Sequence, residues 1–158
     1  MNILDIGIAA AIVDFVTIVL SKYFFDMGVS LDKWYKRFGI TAVLSDVTVI
    51  VLVVQLALFI EPKASVFLLL VIALCIQIVH DILFYFLVIE TVPQGHNEII
   101  DLFKEYAAEM TWTIVAYDSF MVGSTVFLAH TLAKINQTSV NFIGLLTVYA
   151  LTYIIYTK

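Results

Sequence analysis

Residues 64–90 read ASVFLLLVIALCIQIVHDILFYFLVIE. As a helix this run is long and apolar enough to cross a hydrocarbon core of ~30 Å. Yet it carries His80 and Asp81 side by side. A charged side chain near the middle of a bilayer costs about 2.5–3.5 kcal/mol on insertion scales. Something elsewhere in the chain has to offset that cost.

The composition agrees with a membrane setting. Of 158 residues, 63% are hydrophobic and 13% charged, with mean hydropathy +1.05. Soluble domains have roughly 45–50% apolar and about 25% charged residues. One transmembrane domain over residues 1–158 is therefore expected. The net charge of −5 leaves no basic footprint for nucleic acid. Cys75 is the single cysteine, which removes an internal disulfide, a CxxC redox pair and a cysteine zinc site. The first basic residue is Lys22, so the start lacks the cationic region of a signal peptide, and the first apolar segment is expected to be kept as a span.

Apolar runs place spans near 3–24, 39–60, 64–90, 111–134 and 138–157. The expected fold is an all-α, polytopic helical bundle of about five spans. Between the first two lies SKYFFDMGVSLDKWYKRFG, read as a connecting loop; EPK, with Pro62, breaks the second from the third. A cytoplasmic first loop puts Arg37 and Lys22, Lys33, Lys36, Lys104 and Lys158 inside, against Lys63 and Lys134 outside. The positive-inside rule then orients the N-terminus outside and the C-terminus in the cytoplasm. The Asn136–Gln137–Thr138 sequon faces outward, too close to two spans for modification to be expected. Trp34, Tyr35, Trp112, Tyr153 and Tyr156 fall near span ends, where amphipathic rings prefer to sit.

The link before the fourth span also has a pattern. Pro93 and Gly95 signal a turn, and Asn97 suits a helix start. Beyond it Ile99, Leu102, Phe103, Tyr106 and Met110 form a stripe opposite Glu98, Asp101, Glu105 and Glu109. A short interfacial helix near 97–110 follows, either a lid at the cytoplasmic mouth or a connector into the fourth span.

Four spans carry one carboxylate each at nearly one depth: Asp14, Asp46, Asp81 and Asp118. At ~1.5 Å per residue, Asp46, Asp81 and Asp118 lie about 5–6 Å to the cytoplasmic side of centre, with Asp14 near the middle. The helices alternate in direction, so nothing in the spacing forces this agreement. Gln77, His80, Asp81 and Tyr85 share a helical face; Asp118 is accompanied by Ser119 and Thr125. Span five contributes Asn141, Thr152 and the ladder Tyr149, Tyr153 and Tyr156, and the polar faces are expected to point inward.

Such acids need protons or a counter-charge, because burial and like charge both oppose ionisation. No lysine or arginine lies mid-span. A cluster binding protons, a metal cation or an organic amine is therefore expected, with Asp14, Asp46, His80, Asp81 and Asp118 as the site and Gln77, Tyr85, Ser119 and Thr125 in support. Asp46, Asp81 and Asp118 are the candidate metal ligands. The contrary reading has protonated acids acting as polar glue between helices. Retinal is argued against by the lack of a deep lysine. Haem is argued against because His80 and His130 lie on opposite sides of the span centre. HExxH, P-loop and GxSxG motifs are missing. A metal-dependent enzyme acting on lipid is a weaker option, since no cationic residue accompanies the acids to hold a lipid phosphate.

The segments WYKRFGI with AVLSDVTVI (34–50), QIVHDILFY (77–85), VPQGHNEIIDLFKEYAAE (92–109) and YDSFM (117–121) resemble uncharacterised multi-pass membrane proteins encoded by large DNA viruses of algae and protists. The resemblance implies a viral protein in a virion or host-cell membrane and supplies no activity. Asp46, His80, Asp81 and Asp118 fall inside the resembling segments; Asp14 does not. The expectation is thus a proton or cation channel or transporter, assembled as a homo-oligomer because five helices are few and no inverted repeat is seen. A structural or scaffolding membrane protein is the alternative.

Overall fold

The computed structural model describes residues 1–25 and 28–157. Among these the regular structure is entirely helical: α1 (Ile3–Tyr23), α2 (Val29–Phe38), α3 (Ile40–Ile60), α4 (Val66–Phe84), α5 (Glu98–Met110), α6 (Thr113–Leu132) and α7 (Gln137–Ile154). A π-helical turn, Tyr85–Ile89, prolongs α4. Lys158, counted above among the cytoplasmic cations, lies outside the described residues.

Short polar side chains begin most of the long helices. Asn2 and Asp5 form a reciprocal capping box, each side chain accepting the other's backbone N–H at 2.9 Å. Ser65 caps α4 through Leu68 N–H, and Asn136 caps α7 through Thr138 N–H. Asn97 accepts from Ile99 and Ile100 at the start of α5.

By length and composition, α1, α3 and α4 with its π turn are each apolar enough to cross a membrane among the described residues. The pair α5 and α6 meets the same measure only together, across a bend of 104°. The large apolar side chains of α3, α4 and α7 face outward in numbers: Leu52, Leu56, Phe59, Phe67, Leu83 and Leu145 are all exposed.

Helix α1 is the centre, packed against α3, α6 and α7, while α4 closes the bundle against α3 and α6. Close approach depends on small residues: Ala9, Ala10, Ala57, Ala73 and Ala129 are fully buried. At Gly144 an added Cβ would stand 2.8 Å from Ile8, so α7 reaches α1 only without a side chain there.

The first connection differs from the expected loop. Its second half is the amphipathic helix α2, which packs on α3 and α5. Gly39 turns the chain back between α2 and α3 with φ +53°, and an added Cβ would lie 2.9 Å from the Tyr156 hydroxyl. The positive φ favours glycine there. Trp34 and Tyr35, expected at an interface, are instead buried, because α2 folds against the bundle. The tyrosine ladder of α7 departs from expectation in the other direction. Tyr149, Tyr153 and Tyr156 are exposed, since α7 gives its Val140, Gly144, Thr147 and Leu151 face to the bundle. Asn141 and Thr152 are exposed with them.

Candidate functional site

The reversal at Gly39 lays α2 beside the first turns of α3 and brings two aromatic donors to Asp46. Trp34 Nε1–H donates to both carboxylate oxygens, at 3.0 and 3.3 Å. The Tyr35 hydroxyl lies 3.2 Å from Asp46 Oδ2 and 3.0 Å from Asp14 Oδ1. A phenol has one proton to donate. Using both contacts as hydrogen bonds therefore requires a second proton, carried by one of the two carboxyls. Burial, then Asp46, then Asp14 hold the Tyr35 phenol well above its ordinary range, so it stays a donor.

Asp81 is built from its own helix. Gln77 Nε2 donates to Asp81 Oδ1 at 2.6 Å, and His80 Nδ1 lies 3.1 Å from the same oxygen. Asp81 Oδ2 and Gln77 Oε1 are buried without a hydrogen-bond partner. Asp118 on α6 stands within electrostatic reach of Asp81, Asp46 and His80.

These groups line one cavity of about 580 Å³, walled by α2, α3, α4, α5 and α6. Asp46, His80, Asp81 and Asp118 all reach it, as do Gln77 and Tyr85, and among the described residues no lysine or arginine does. Asp14 is fully buried outside the lining and is linked to Asp46 by the Tyr35 hydroxyl. Ser119 and Thr125 are not in the lining either; Thr125 is fully buried with an unpartnered hydroxyl. The expected single cluster is therefore two linked parts, a cavity set and a buried Asp14–Tyr35–Asp46 bridge. As metal ligands Asp46, Asp81 and Asp118 do not come together: among the described residues no group of three or more His, Cys, Asp or Glu could hold an ion. They project from three different helices around a wide space.

The rest of the wall mixes aliphatic side chains such as Ile50, Leu102 and Met121 with the aromatic rings of Trp34, Phe84 and Phe103. Phe38, Trp34, Phe103, Phe84 and His80 form a continuous chain of rings, with centroids 4.8 to 6.0 Å apart. His80 stacks on Phe84 with planes 8° apart. Tyr106 closes the side contributed by α5; burial, then Asp118, then Asp46 raise its phenol pKa.

Helix α5 uses its acidic stripe to hold α2, a role the sequence pattern alone did not reveal. Glu109 accepts from Val29 N–H at 2.7 Å and Ser30 N–H at 2.8 Å, replacing the missing side-chain cap of α2. Hydrogen bonds from Ser30 and Val29 hold its carboxyl below the usual glutamate range. Lys33 pairs with Glu105 at 2.7 Å and Arg37 with Glu98 at 3.1 Å. The corner after α5 is strained: Thr111, a cavity residue, has φ +51°, a conformation costing about 1–3 kcal/mol for such a side chain.

Trp34, Tyr35, Phe84, Phe103 and Tyr106 belong to the site and were not singled out for it from sequence. For Phe84 the spacing from His80, one turn along the helix, was the available signal. No protein-family model, curated protein or solved structure matches this chain.

Proposed function

We propose that this chain is a multi-pass membrane protein that binds and passes protons or small cations through the acidic cavity. One observation carries the reading: carboxylates from three helices, with His80, face a common space that no lysine or arginine lines among the described residues. Ionised carboxylates around one space attract cations and repel anions. Asp46, Asp81 and Asp118 hold the cation or relay protons, and His80 adjusts their charge near neutral pH. Asp14 acts from behind the wall through Tyr35.

The outward apolar faces of α3, α4 and α7 support a lipid environment, since soluble monomers rarely expose such continuous patches. In this reading α1, α3, α4, α6 and α7 span the bilayer, with the N-terminus outside, and α2 and α5 lie at the cytoplasmic side. Homo-oligomers complete the assembly, and the resemblance noted above supports a viral or host membrane as its setting. The buried Asp14–Tyr35–Asp46 bridge favours a second reading, a scaffold in which the acids only tie helices together.

Flux into proteoliposomes separates the two. Wild-type protein is expected to carry a proton or cation flux that Asp81→Asn loses. Well-folded protein that passes nothing across several cations and pH gradients would overturn the transport reading and leave the scaffold.

A further inference from the structure

Resting on the cation reading above, we propose that the cavity takes an organic ammonium ion with an apolar or aromatic body. Its size is the first argument. About 580 Å³ is the space of a small-molecule pocket, in the common range of roughly 300–1,000 Å³. A bare metal ion instead needs several oxygens converging within bonding distance. That convergence is lacking here among the described residues.

The chemistry of the wall is the second argument. Trp34, Phe84, Phe103 and Tyr106 supply ring faces and edges, and the carboxyl groups of Asp46, Asp81 and Asp118, whose ionised forms a bound cation favours, line the same space. Aromatic faces attract a weakly hydrated cation, more strongly once water is excluded. Carboxylates meet the same charge directly. A hydrated inorganic ion gains little from such rings, and an anion meets repulsion from every side.

A third observation points independently to an occupant. Gln77 is 2% exposed and lines the cavity, yet its Oε1 accepts no hydrogen bond. Its amide nitrogen is already committed to Asp81. The neighbouring Asp81 Oδ2 is also an unused acceptor. Two unpartnered acceptors in a space that, among the described residues, no lysine or arginine lines suit a ligand that brings N–H or N⁺–CH groups. A buried acceptor left unsatisfied is costly, so a donor-bearing guest relieves it.

The test uses the full chain in detergent with Trp112→Phe, so that Trp34, the remaining tryptophan, reports from the cavity wall. Trp112 is exposed, outside the cavity lining. Phenyltrimethylammonium is the probe and tert-butylbenzene its neutral isostere. Saturable quenching by the ammonium is expected, with affinity at least about tenfold above that of the isostere and at least about tenfold weaker in Asp81→Asn. Asp118→Asn provides the same comparison should Asp81→Asn not fold, and Phe84→Leu is expected to weaken binding of the ammonium. Equal binding of the isostere overturns the proposal, leaving an apolar pocket indifferent to charge. Failure of the ammonium to bind, while proteoliposomes pass protons or potassium, also overturns it, yet leaves the cation reading standing. Neither binding nor flux overturns both.

Discussion

The two halves of the bundle are built from the same helices and packed by opposite rules. In one half Ile6, Ala9, Ala10, Val54, Val122 and Val126 close into a core in which each side chain is fully buried. In the other, α2 and α5 insert between the helix ends with Trp34, Tyr35 and Leu102, and the cavity opens beside them. Small residues let helices meet; bulky aromatics at the other end hold them apart. Asp14, Asp46, Asp81 and Asp118 belong to the open half or its boundary, whereas Asp5, buried at the other end of α1, is held by the capping box with Asn2. The contrast shows how a chain of this size accommodates buried acids. One half is packed for cohesion, and the other keeps space around the charges.

The sharpest way to break this comparison is to remove the same volume from each half. Ile6→Ala should cost about 2–5 kcal/mol, the usual range for a fully buried isoleucine. Ile114→Ala, at the cavity wall, should cost distinctly less, because its neighbours already border a void. Unfolding followed in detergent gives both values. Equal losses would mean that the cavity half is as tightly packed as the other.

A smaller effect is expected at the boundary between the halves. Tyr35→Phe removes the donor shared by Asp14 and Asp46. Asp14 already has one unpartnered buried oxygen, so a second should destabilise by about 1–3 kcal/mol. Tyr149→Phe, on the exposed face of α7, is the control and should change nothing measurable. A Tyr35→Phe protein as stable as its parent would remove the bridge from the account.

The smallest effect concerns how α5 holds α2. The Glu109 carboxyl sits below its ordinary value of 4.5 in the folded protein. Its contribution is therefore fully present above that value, where the carboxylate is charged in both states. It is lost as pH falls through the lower folded value, where the proton displaces the backbone N–H bonds. Thermal melts from about pH 6 to about pH 3 should lose part of their slope in Glu109→Gln. The same slope in both proteins would mean that Glu109 does not hold the start of α2. Because Glu109 is exposed, salt should weaken the effect as well.

Helix periodicity and helix rise are local properties, and so is everything they dictate. The apolar lengths around Asp14, Asp46 and Asp81, the cap at Asn97, and the shared face of Gln77, His80 and Asp81 were all legible in the sequence. Each depends only on residues within a few turns of itself. Partnership across the bundle is not local. The sequence could not say that Gly39 folds Trp34 and Tyr35 back onto Asp46, or that Asp14 ends behind the wall while Asp118 faces the cavity. It could not assign the acidic stripe of α5 to the start of α2, nor turn the tyrosines of α7 outward. Those outcomes follow from which small residues let helices approach and which aromatic rings keep them apart, and only the packed chain brings these residues within reach of one another.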